Sequence, residues 1–102
     1  LKSLEEDQKR RATRSLRDGL DRIMVDLLSL FRDILLVQLG SEVEPINLEI
    51  MDRVRAAAGT SSPAQTLATL DAIATARRRI DNNVAPFLAL EAMLITARRG
   101  AA

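Results

Sequence analysis

The chain has no cysteine, histidine, tryptophan or tyrosine, and its only aromatics are Phe31 and Phe87, in 102 residues. Without cysteine there are no disulfides and no thiolate metal sites. Without histidine the commonest general base and a principal zinc ligand are missing. Nucleophile–base pairs of the Ser–His or Cys–His kind cannot be built. Two aromatics make no stacking platform for a single strand of nucleic acid. Charge of one sign is lacking too: 15 basic and 14 acidic residues leave +1. No strong global field therefore draws in nucleic acid or anionic lipid. No glycine is followed by Lys-Ser or Lys-Thr, so there is no phosphate-cradling loop. These absences lean away from catalysis, and no cofactor is expected.

A long uncharged run is also missing. The most apolar stretch, Ile23 to Leu39, carries Asp26, Arg32 and Asp33, which is costly in lipid. The first 18 residues hold ten ionisable side chains and no apolar core of a secretory signal. The expectation is a cytoplasmic protein without a membrane contact. A chain of this length is one domain, able to bury roughly 10,000 Å² of about 16,000 Å² exposed when unfolded.

What is present is helical periodicity. Residues 1–18 form a polar lead-in, helix or linker, with sparse apolar positions (Leu1, Leu4, Ala12, Leu16) and the pairs Glu5/Lys9 and Glu6/Arg10 at helical spacing. From Leu20 the apolar positions Ile23, Met24, Leu27, Leu28, Phe31, Ile34 and Leu35 recur every three or four residues, which predicts an amphipathic helix ending at Gly40. Gly19, near its start, marks either a kink or a close contact. After a loop containing Pro45, Asn47 is a fitting N-cap for a short helix that ends near Gly59. Ser62-Pro63-Ala64-Gln65 is a capping box with proline at the first helical position, opening a helix to about Asp81 with Leu67, Leu70, Ile73, Ala74 and Ile80 as its stripe. Asn82-Asn83 break it. A last helix begins near Val84, carries Phe87, Leu88, Leu90, Met93, Leu94 and Ile95, and ends before Gly100. Leu35 and Leu90 are expected in the core. No stretch alternates with period two, so the fold class is all-α: a compact bundle of four to five helices over residues 19–100 behind the polar lead-in.

The charged residues read mostly as solvated faces. Glu5-Glu6 and Glu42/Glu44 sit in polar stretches, which suits surface better than paired-carboxylate catalysis. Lys9-Arg10-Arg11-Arg14 and Arg77-Arg78-Arg79 are basic clusters, and three consecutive arginines point three ways on a helix. A helical nucleic-acid-binding module using residues 9–17 and 77–79 is the alternative function they leave open. Imitation of a helix-turn-helix by the 47–58 helix would aim Glu49 and Asp52 at phosphates. Arg32-Asp33 is more informative, since it interrupts the most apolar helix and each charge needs a partner or solvent. Arg77 and Glu91 lie beside apolar stripes and are candidate internal partners.

Two stretches carry a family resemblance. Ser29-Leu30-Phe31-Arg32-Asp33-Ile34-Leu35-Leu36 resembles the aromatic–Arg–Asp–apolar helix of the C-terminal collar domains of bacterial DNA polymerase III clamp-loader subunits. Residues 77–94, an Arg-bearing helix leading through Asn82-Asn83 to Leu88-Ala89-Leu90-Glu91, resemble the end of the same domain. The ordered match covers about residues 8–96 and looks most like the delta-prime type, with gamma/tau a related collar. The resemblance implies a non-catalytic assembly domain, cut from a longer protein, that holds the loader pentamer together for sliding-clamp loading in DNA replication. Its partners would be the gamma/tau and delta subunits, with no direct nucleic-acid binding by this domain. Arg32, Asp33, Arg77 and Glu91 are then the candidates for polar contacts that order the core or the ring.

Overall fold

The computed structural model describes residues 2–101, the side chains of 99–101 excepted. Four α-helices pack together: α1 (Lys2–Gln38), α2 (Met51–Ala58) behind a 3-10 turn (Leu48–Ile50), α3 (Pro63–Asp81) and α4 (Pro86–Ala101). No strand occurs among the described residues, and the all-α bundle is as the periodicity predicts.

The polar lead-in is helical and runs without interruption into the apolar helix. At ~1.5 Å per residue, 37 residues give about 55 Å, which accounts for the 58 Å long dimension of the molecule. Exposed ion pairs at one-turn spacing, Arg10 with Glu6 (3.8 Å) and with Asp7 (4.0 Å), line the first half. The expected Glu5/Lys9 pair is absent among the described residues, and Leu1 lies outside them. Gly19 is no close-contact site: nothing lies within 4 Å of where a Cβ would stand.

The helix stops are local chemistry. Gly40 takes φ +64, Ser41 N–H donates to the Leu36 carbonyl (2.9 Å) and Gly40 N–H to that of Val37 (3.1 Å). This is the Schellman pattern that favours glycine. Asn83 repeats it at φ 63, with Val84 N–H on Arg79 O (2.9 Å) and Asn83 N–H on Ile80 O (3.1 Å). Asparagine is the residue that best tolerates that conformation after glycine. At the start of α3, Ser62 Oγ accepts from Gln65 N–H (3.1 Å) and Gln65 Oε1 accepts from Ser62 N–H (2.8 Å). Ser62→Ala is expected to cost about 1 kcal/mol, checked by urea unfolding. The last helix begins at Pro86 rather than Val84 and continues through Gly100 to Ala101.

Helix α3 sits in the middle, with α1 on one side and α4 on the other. The Arg77–Asp21 and Thr66–Gln38 contacts set α1 and α3 antiparallel. Met24, Ile73, Ala76, Ile80 and Ala89 form the buried cluster, with Leu20, Leu27, Leu28, Phe31, Val84 and Met93 packed around it. Two members of this cluster, Ala76 and Ala89, are small. The buried faces are out of phase with the expected ones: Ile34 and Ala89 are buried, whereas Leu35 and Leu90 are only half-buried. Leu67, Phe87, Leu88, Leu94 and Ile95, placed on the stripes by periodicity, face out. The molecule is only 17 Å deep in its thinnest dimension. Its accessible surface is 7507 Å², against about 5,700 Å² for a compact monomer of this mass.

Candidate functional site

Exposed surface bears on assembly when it is apolar and contiguous. The last helix shows this most clearly. Residues three, four and seven apart share one helix face, and Phe87, Leu88, Glu91, Leu94, Ile95 and Arg98 have that spacing. Ala89 and Met93, on the opposite face, pack into the core. The outer face is open: Phe87 is 83% exposed, Leu88 62%, Leu94 63% and Ile95 46%. A helix that is apolar on both sides is normally covered on both. Glu91 and Arg98 are exposed within this stripe and have no hydrogen-bond or ion-pair partner among the described residues.

A second apolar surface lies where α1 passes the 3-10 turn. Ile23, Leu27, Leu30 and Ile50 line a shallow groove of about 380 Å³ together with Asp26 and Asn47. Ile23, Ile46 and Leu48 are exposed. The two surfaces are unlike in shape, one a convex helix ridge and the other a groove.

The polar candidates are not brought together. Asp33 is fully buried on α1. Its Oδ1 accepts from Ile46 N–H (2.9 Å), and its Oδ2 from Asn47 N–H (2.6 Å) and Asn47 Nδ2 (2.7 Å). Burial pushes its pKa up, but these donors, with the Arg32 cation nearby, outweigh that and hold the carboxyl below its ordinary range. Arg32 stays half-exposed, 4.0 Å from Asp33. The partner of Asp33 is thus neither Arg77 nor Glu91 but the loop that leads into α2. Asn47 makes no side-chain cap; its amide nitrogen donates to Asp33 instead.

Arg77 pairs with Asp21 across α1 and α3, through Nε to Oδ1 (2.6 Å) and one terminal nitrogen to Oδ2 (3.2 Å). The guanidinium's hydrogen bonds hold the Asp21 pKa below its ordinary value, and the carboxylate raises that of Arg77. Periodicity did not single out Asp21. Its position seven residues before Leu28, on the edge of the α1 stripe, was the available signal. Gln38 is a second unforeseen tie: its amide nitrogen Nε2 donates to Ser61 O (3.0 Å), Ser61 Oγ (3.0 Å) and Ala58 O (3.3 Å), while Oε1 accepts from Thr66 Oγ1 (2.7 Å). These contacts fasten the end of α1 to the α2–α3 turn.

Part of the first basic cluster is interleaved with carboxylates, whereas Arg11, Arg78 and Arg79 are exposed. Lys9, Arg10, Arg14 and Arg17 share a crevice of about 560 Å³ with Asp18, Asp21 and Asp81. The interleaved carboxylates offset the attraction a phosphate backbone would feel. No helix among the described residues is long and apolar enough to cross a membrane. Comparison of the chain with protein-family models, with curated proteins and with solved structures finds no match.

Proposed function

We propose that this chain is a non-catalytic assembly domain that joins sister helical domains through its apolar helix faces. The observation that supports this reading most is the open outer face of α4, where four large apolar side chains line one ridge. Covering them yields roughly 6 kcal/mol or more of gross transfer free energy. Association itself costs an estimated 4–15 kcal/mol, so α4 alone gives a weak contact and lasting assembly needs a second surface. The groove beside the 3-10 turn supplies one. Two unlike faces suit a heterologous arrangement in which each chain touches two different neighbours.

The assembly we propose is the bacterial DNA polymerase III clamp loader, with this chain as a delta-prime-type collar domain. That identification rests on the resemblance of residues 29–36 and 77–94, and the faces described above are compatible with it. Its partners are then the gamma/tau and delta subunits, and nucleotide chemistry belongs to other domains. Mixing the chain with those subunits and separating by size-exclusion chromatography tests the proposal. Co-elution of wild type, and its loss in Leu94→Asp, is the expected result. Failure of the wild type to co-elute with any of them contradicts the reading. Tight, steeply salt-dependent binding to duplex DNA would favour the nucleic-acid alternative instead.

A further inference from the structure

The charge pattern on the outer face of α4 carries information about what can cover it. Glu91 and Arg98 are seven residues apart, about 10.5 Å along the axis, and neither has a partner among the described residues. Their midpoint falls between residues 94 and 95, and those residues are Leu94 and Ile95, both exposed. The segment from Glu91 to Arg98 is therefore self-complementary under one symmetry operation.

We propose that α4 pairs antiparallel with α4 of a second copy of this chain, about a twofold axis passing between Leu94 and Ile95. This rests on the reading of α4 as a contact surface and adds an occupant to it. In this register Glu91 faces Arg98 of the second copy, and the symmetry repeats the pair on the other side. Leu94 packs on Ile95 of the second copy at the centre. The alternatives are electrostatically worse. A parallel pair sets Glu91 on Glu91 and Arg98 on Arg98, and an antiparallel pair centred at residue 91 sets two carboxylates together. Like charges directly opposed disfavour both arrangements, whereas complementary charges fix register and orientation.

One face of a helix about 24 Å long covers less than the ~800 Å² per partner of a standard stable interface. The pair is therefore weak and dissociates on dilution. It also occupies the residues that a sister domain would contact, so self-pairing and heteromeric assembly exclude each other. The second copy covers the centre of the ridge, Leu94 and Ile95, until a partner displaces it.

Sedimentation velocity over a concentration series, on the 102-residue chain and three variants, tests this. The wild type is expected to move from 11.2 kDa toward twice that mass as concentration rises. Glu91→Arg alone and Arg98→Glu alone each oppose like charges and are expected to remain monomeric over the same range. An equimolar mixture of these two single variants restores complementary pairs and is expected to dimerise, as is the double variant E91R/R98E. Recovery in the mixture also shows that both singles are folded. The proposal is overturned by a wild type monomeric at all concentrations, by single variants that dimerise as the wild type does, or by a mixture that does not. Failure here with intact binding to clamp-loader subunits sinks only the self-pairing. Self-pairing without such binding sinks only the heteromeric reading.

Discussion

Ile73→Ala is expected to lower the free energy of unfolding by about 2–5 kcal/mol. Ile73 lies on the central helix, is 2% exposed, and belongs to the one buried cluster shared by α1, α3 and α4. Truncation removes apolar contacts and leaves a cavity that rigid neighbours fill only in part. Domains of this size hold only about 5–15 kcal/mol in total, so the loss is a large share. The thinness of the fold leaves little further core to compensate. Urea unfolding followed by circular dichroism measures it. A change below about half a kcal/mol would show that the core is placed wrongly. Leu35→Ala, at a half-buried position, is expected to cost clearly less than Ile73→Ala in the same experiment.

Asp33→Ala is expected to be nearly as damaging, at about 3 kcal/mol, because it strands three donors inside the protein. Those donors are the N–H groups of Ile46 and Asn47 and the Asn47 amide. The loss should first free the loop between α1 and α2. Hydrogen exchange at Ile46 and Asn47 is expected to speed up most in the variant, while the Ile73 amide loses only the protection that the fall in global stability removes. A pH effect follows from the same carboxylate. Its pKa is below the ordinary value in the folded state, so its contribution is fully present above about pH 4. It is lost as pH falls through the lowered folded value. The stability difference between wild type and Asp33→Asn should therefore be constant from pH 7 to 5 and shrink below about pH 4. A difference that grows toward acid would contradict the assignment.

These two residues also show how much of the fold could be read before the structure. Gly40, the Ser62–Gln65 box and Asn82-Asn83 encode their stops and starts in local backbone chemistry, and each functions where the sequence places it. The α1 and α4 stripes could be recognised as helical, but not in phase. When apolar residues occur on most sides of a helix, periodicity does not say which side is covered. Packing against the other helices decides that: α4 turns Ala89 and Met93 inward rather than Leu90 or Leu94. Asp33 was legible as a charge needing a partner, but the partner was not. The loop donors come from residues 46 and 47, thirteen and fourteen positions on, and backbone N–H groups leave no signature in residue type. Asn47 has a capping side chain in the capping place and uses it elsewhere. Glu91 was read as an internal partner for a charge, yet it lies outside on an apolar ridge.

Hydrogen–deuterium exchange of the chain, alone and with the gamma/tau and delta subunits added, tests the assembly role most directly. Slowed exchange over residues 87–95, with a second slowed segment around residues 46–50, is the result this account expects. Binding that leaves α4 exchanging as in the free chain, or no change anywhere with all of those subunits present, would contradict it.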